Sequence, residues 1–258
     1  MQLALNLIDP PSPRLDNGVE GRNQAALTAL SRLVAADRPR RYATLTLWGA
    51  PGSGKSFWLQ AWGHALGNRA TVLCCAGDLH PEHDETIARA TDAAVRALHD
   101  AHDPLDGQVA KTAPLASAIW LLDDIDRAGP KTVEALFRLY NAAREAGCVV
   151  IASAQSAPMR LDLRDDLRTR LGQGLVFELH ELNDEEKRTA LKERAEHLTL
   201  PITDEFIHYM LTHLPRDLGR LAAILDALNE YALAKQRPPT IPLLKELLDQ
   251  RHATARTL

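Results

Sequence analysis

The octapeptide GAPGSGKS, Gly49 to Ser56, sets glycines, a lysine and a hydroxyl at the spacing that grips a chain of phosphates. It satisfies G-x-x-x-x-G-K-[ST] at every fixed position. Gly49, Gly52 and Gly54, with Ser53 between them, let successive backbone N–H groups turn inward on anionic oxygens at the start of a helix, whose dipole favours negative charge. Lys55 is placed to reach β- and γ-phosphates, and Ser56 to offer its hydroxyl to Mg²⁺. A second candidate is IWLLDDID, an apolar run that ends in Asp123 and Asp124. Carboxylates there stand at the carboxyl edge of a sheet, where open α/β folds bind ligands. Asp123 is expected to hold Mg²⁺ through water, and Asp124 to polarise an attacking water. Each acid can also be read as a helix cap.

These groups need a scaffold, and the chain supplies one. The segments 44–49, 71–77, 118–124, 148–154 and 175–179 are short, apolar and bounded by polar or turn residues, which predicts strands. Amphipathic stretches such as SFWLQAWGHALG and KTVEALFRLYNAAREAG lie between them. Alternation of this kind predicts an α/β fold, a five-stranded parallel sheet flanked by helices. After about residue 180 the strand signals stop. NDEEKRTALKERAEHL opens with Asn183 as a cap and acids in its first turn. Three further helical patterns follow, so the C-terminal region is expected to be an all-helical domain of four helices. The expected boundaries are 1–12, 13–179 and 180–258. Residues 78–117 read as one helix and a mobile loop.

At 258 residues, with 45% hydrophobic and 25% charged side chains, the chain has material for a sizeable core. A net charge of -4 argues against a surface that grips nucleic acid throughout. The densest basic run, RPRR at Arg38 to Arg41, reads as a solvated loop. Cys74, Cys75 and Cys148 are too few for a disulfide framework or a zinc site, and read as buried free thiols in a reducing compartment. His80 with His83, and His99 with His102, have helical spacing but no further ligands, and read as solvated helix surface. No run approaches the length of a membrane span and no basic leader precedes the chain. The expected location is cytoplasmic, with no membrane partner.

Taken together, the phosphate motif, the acidic strand end and the trailing helices resemble the AAA+ branch of the P-loop ATPases, and within it the DnaA family. LDNGVEGRNQAAL (15–27) is similar to that family's N-terminal motif. The resemblance implies an adenine pocket lined by Val19 and Asn23, with Gly21 also in place; Leu15 and Gly18 stand where aromatic residues are usual. LFRLYN (136–141) resembles the helix after the acidic strand. LRTRLGQGLVFEL (167–179) looks like the segment that carries an arginine finger, which maps onto Arg170. LPRDLGRLAAIL looks like the lid motif whose sensor arginine maps onto Arg216. The polar sensor after the fourth strand falls on Ser153 or Ala154. Arg216, read as lying at a helix start, carries a dipole cost that favours a functional role. A surface arginine, or one paired with Asp165 and Asp166, is the plainer reading of Arg170.

The chain has no room after Leu258 for the DNA-reading domain of DnaA proteins, which fits the Hda family of DnaA-related regulators. QLALNL at the N-terminus resembles that family's sliding-clamp-binding motif. Gln2 would hydrogen-bond at the pocket mouth, and Leu3, Leu5 and Leu7 would fill apolar subsites. The resemblance implies ADP or ATP with Mg²⁺ as cofactors, and DnaA and the β sliding clamp of DNA polymerase as partners. DNA would be met mainly through the clamp, and self-association stays open. The implied function is stimulation of hydrolysis of DnaA-bound ATP, with weak or no ATPase of its own. An ATP-driven helicase or DNA loader, or a nucleotide-stabilised clamp adaptor, are the alternatives.

Overall fold

Five parallel strands form one sheet in the order β2-β3-β4-β1-β5. The architecture comes from a computed structural model that describes residues 11–35, 41–75, 81–102 and 119–255. The strands are β1 (Ala43–Trp48), β2 (Ala70–Cys74), β3 (Ile119–Asp123), β4 (Val149–Ala154) and β5 (Leu175–Glu178). β3 and β4 are buried along their whole lengths, which is why their sequences, IWLLD and VVIASA, are nearly unbroken apolar runs. β2 and β5 lie at the edges and expose alternate or most positions. Cys74 therefore faces outward, correcting the expectation of three buried thiols; Cys75 and Cys148 are buried.

Two compact units divide the chain, Pro13–Glu181 and a second beginning at Leu182. In the first, α1 (Gln24–Val34), α2 (Lys55–Leu66), α3 (Pro81–His102), α4 (Pro130–Glu145) and α5 (Asp165–Gly172) cover the sheet. One core gathers α1 and α2 against Leu45, Leu47, Leu121 and Ile151. The other gathers α4 and α5 against Trp120, Leu122, Val150 and Ala152. Neighbouring residues of one strand, such as Leu121 and Leu122, thus feed opposite cores.

The second unit has four helices, α6 (Asp184–His197), α7 (Asp204–His213), α8 (Leu218–Lys235) and α9 (Ile241–Ala255). Their shared core includes Leu191, Met210, Leu221, Leu225 and Leu243. Asn183 caps α6 in a reciprocal box with Glu186. Helix α8 begins at Leu218 with Asp217 as its cap. Arg216 therefore stands directly before the cap, at the positive end of the helix.

Helix α4 is set in place by a side chain from another helix. The Asp84 carboxylate of α3, only 8% exposed, accepts from the backbone N–H groups of Thr132 and Lys131 at 2.9 and 3.0 Å. No residue of α4 itself caps that end. Burial alone would raise the Asp84 carboxyl, but its hydrogen bonds from Thr132 and Lys131 and the Lys131 charge hold it below the ordinary value. A depressed carboxyl stabilises the fold above its unfolded value, about pH 3.9, and that increment is lost as pH falls through the folded value. Asp84→Ala should cost about 1–3 kcal/mol at neutral pH in urea unfolding. Its deficit against the parent chain should shrink below about pH 4.

Candidate phosphate site and arginine cluster

The phosphate motif occupies the turn between β1 and α2. Gly52 and Gly54 both take φ +88°, a left-handed backbone that other residues adopt at a cost. At Gly49 a Cβ would collide with the Leu179 carbonyl oxygen, so close approach of the chain leaving β5 demands glycine there. The Gly49 N–H donates to Ala154 O at 3.2 Å, tying the loop to the end of β4.

Lys55 is 5% exposed. Its ammonium donates to Gly49 O (2.7 Å), Ala50 O (3.0 Å) and Ser53 Oγ (3.2 Å). Burial lowers its pKa, while Asp124, Asp123, Asp126 and Glu181 oppose that shift in descending order. Ser56, the next residue, is half-buried.

Across from the loop, β3 and β4 are clasped by one hydroxyl. Ser153 Oγ, fully buried, donates to Asp123 Oδ1 at 2.5 Å and accepts from the Asp124 N–H at 2.9 Å. Asp124 takes φ 53°, ψ 49°, a left-handed conformation unusual for a residue with a side chain. Burial raises its carboxyl, reinforced by Asp123 and Asp126 and opposed by Arg127 and Lys55. The hydroxyl proposed as a sensor is thus committed to the acids themselves, and the neighbouring Ala154 brings no polar atom.

The chemistry of this donor set fits a nucleotide. A cation, a hydroxyl and left-handed glycines make an anion cradle, and the Asp123–Asp124 pair beside them suits a hydrated divalent cation. Among the described residues, no group of three or more His, Cys, Asp or Glu side chains could hold a metal by itself.

The N-terminal motif behaves differently from its expected part. Asn23 is 4% exposed, and its amide donates to His180 O at 2.9 Å and accepts from His180 N at 2.8 Å. Its side chain fastens the segment after β5. Val19 is half-buried. At Gly18, a Cβ would run into the Trp58 indole and the Phe57 ring, which meet edge to face at 5.4 Å. Aromatic bulk from α2 thus fills the space beside a position where the resemblance leads one to expect an aromatic ring.

Arg170 lies on α5, pairing with neither acid upstream. Arg168 pairs with Asp165, and Arg164 with Asp166. Arg170 Nη2 instead donates to Asn141 Oδ1 at 2.7 Å, and its guanidinium stands 5.9 Å from the Phe137 ring centroid. It also acts on the Tyr42 hydroxyl, whose pKa burial raises and Arg170 partly restores. Arg164 stands 5.7 Å from the same Phe137 ring. Phe137 and Asn141 were legible only as part of a helix; the i, i+4 spacing that puts them on one face was the available signal. Arg216, in the helical unit, reaches Asp184 Oδ2 at 3.6 Å, and both side chains are mostly exposed. Gln2, Leu3, Leu5 and Leu7 lie outside the described residues, as do the 38–40 part of the basic run, His80 and residues 103–118.

Ser153→Ala leaves the buried Asp123 carboxylate short of its donor. Urea unfolding should show a loss of about 1–3 kcal/mol; a loss near zero would mean that the clasp is not a structural tie.

With this geometry in view, the chain can be set beside known proteins. The family model described as the bacterial DnaA ATPase domain matches residues 12–178, and that described as Hda, lid domain, matches residues 184–248. The chromosomal replication initiator protein DnaA of Thermomicrobium roseum is 25% identical over 234 residues, 89% of this chain and 48% of that protein. An uncharacterized protein of Haemophilus influenzae is 33% identical over 117 residues, 45% of this chain and 51% of that protein. The chain therefore spans about half the length of these relatives. Domain III of the Thermotoga maritima replication initiation protein DnaA superposes with a TM-score of 0.64 at 19% identity, covering 94% of this chain and 98% of that one. DnaA from Aquifex aeolicus, solved bound to AMPPCP, gives 0.59 at 19% identity, with 96% and 70% covered. These structural likenesses show the fold, an α/β domain of the AAA+ kind.

Proposed function

The chain belongs to the family of bacterial DnaA ATPase domains and carries an Hda-type lid, and from that premise we propose that it is a DnaA-related regulator of replication initiation that holds an adenine nucleotide of its own and offers Arg170 to the nucleotide of a DnaA partner. The observation that carries this reading is the state of Arg170. A guanidinium that rests on a neutral amide, a phenol and an aromatic ring, with no carboxylate partner among the described residues, gains a great deal from an anionic oxygen. Fingers of this kind are worth about 10³–10⁵ in rate, because they meet charge spreading over the transferred phosphoryl group.

The chain's own site has the marks of a holder. Gly49, Gly52, Ser53, Gly54 and Lys55 would bind the phosphates. Ser56 and Asp123 would hold Mg²⁺, which supplies charge neutralisation between phosphate oxygens. Asp124 would orient water. What supports slow turnover is the end of β4, where the Ser153 hydroxyl is occupied by Asp123 and Ala154 has no polar group to offer. In this reading Val19 borders the base, and Asn23 fixes the wall rather than touching the nucleotide. Arg216, whose contact with Asp184 is long and exposed, keeps its guanidinium available for a phosphate as the sensor arginine of the lid motif.

Gln2, Leu3, Leu5 and Leu7 would dock into the clamp. Burying each leucine contributes roughly 1.5–3 kcal/mol, offset by the ordering of a peptide. One such motif binds weakly, and a ring with several pockets gains through effective concentration.

The test is hydrolysis of DnaA-bound ATP in the presence of DNA-loaded clamp. Arg170→Ala should lower the stimulated rate by about 10³-fold while nucleotide and clamp affinities hold. Deleting residues 2–7 should abolish the clamp requirement's benefit and leave nucleotide affinity unchanged. Undiminished stimulation by Arg170→Ala would refute the finger and favour an adaptor whose only output is clamp binding.

A further inference from the structure

The phosphate loop has a carboxylate laid against it that belongs to none of the motifs above. A Cβ placed on Gly52 would stand 3.7 Å from both Cδ and Oε1 of Glu181, an ordinary van der Waals distance. Glu181 follows β5, and the backbone that delivers it is pinned twice. Leu179 N–H donates to Trp48 O at 2.7 Å, and His180 is held on both sides of its peptide by the Asn23 amide. The side chain is exposed and forms no ion pair among the described residues. The other acids of the site are differently placed: Asp123 is fastened by Ser153, and Asp124 faces Arg127 at 3.7 Å. Glu181 approaches the loop from a different element, with its charge uncompensated apart from the distant pull of Lys55.

We propose that Glu181 is a charge selector for the phosphate loop, disfavouring the extra negative charge of a γ-phosphate and so tilting the site toward nucleoside diphosphates. The inference rests on the reading that this loop binds an adenine nucleotide. A triphosphate brings one more negative charge than a diphosphate at neutral pH. Repulsion between like charges a few ångströms apart at a protein surface is modest, and is screened over about 8 Å at physiological salt. The effect is therefore a bias between nucleotides and leaves either able to bind.

The experiment measures ADP and ATP affinities, each with Mg²⁺, by displacement of a fluorescent nucleotide from the full chain and from Glu181→Gln and Glu181→Lys. Melting curves verify that the variants fold. Glu181→Gln should tighten ATP about three- to tenfold more than ADP, with the difference shrinking at high salt, and Glu181→Lys should widen it. An equal change in both affinities overturns the proposal. So does selective weakening of ATP, which would make the carboxylate a ligand of the metal or its water. If the parent chain binds neither nucleotide, the reading of the loop fails; if it binds both and the variants keep its ratio, only the selector fails.

Discussion

The Lys55 ammonium is buried where burial is costly, and much of the first unit is arranged around that fact. Three oxygen acceptors from its own loop surround it, and four carboxylates act on it from two separate segments, Asp123, Asp124 and Asp126 at the end of β3 and Glu181 after β5. An isolated buried cation would lose its proton or unfold its surroundings. Here it stays compensated because the end of β3 and the residues after β5 deliver acids to the same sheet edge at which β1 delivers the loop. The parallel order β2-β3-β4-β1-β5 is what makes that convergence possible, since it sets β4 between the acidic strand and the phosphate strand. Ser153 then does for the acids what the loop carbonyls do for the lysine. It holds Asp123 and the Asp124 backbone in one place, allowing Asp124 to keep a left-handed conformation that costs of order 1–3 kcal/mol elsewhere.

Reactive groups on this chain fall into two sets with different environments. Around the loop, Lys55, Ser153 and Asp123 are tied to other parts of the same site. At the α4–α5 face, Arg170 stands near Phe137, bonded to Asn141 and beside the Tyr42 hydroxyl, with no carboxylate partner among the described residues. The first set suits retention of a ligand, and the second suits a partner that brings an acceptor. This division, more than any single residue, is the physical content of the proposal that the chain holds one nucleotide and acts on another.

The sheet, its helices and the phosphate loop were readable because their signals are local. GAPGSGKS spans eight consecutive residues, and a fully buried strand such as IWLLD announces itself by composition. Strand ends fell within one residue of expectation, except that β2 ends at Cys74, three residues short of the run read as its strand. What the sequence hid were long-range partners. Nothing near Asp84 says that it caps a helix beginning at Pro130, and nothing near Asn23 points to His180. Arg170 illustrates the same limit: the acids beside it in sequence are taken by Arg164 and Arg168, and its actual partner lies 29 residues away. Cys74 was misjudged because an apolar run cannot reveal whether its strand is central or at the edge.

The most direct measurement follows the label. Radiolabelled γ-phosphate is placed either on the nucleotide bound to DnaA or on that bound to this chain, and its release is followed in single turnover after mixing with DNA-loaded clamp. The account predicts rapid release from DnaA and retention by this chain. Release from this chain's own nucleotide, with the DnaA label left intact, would contradict it.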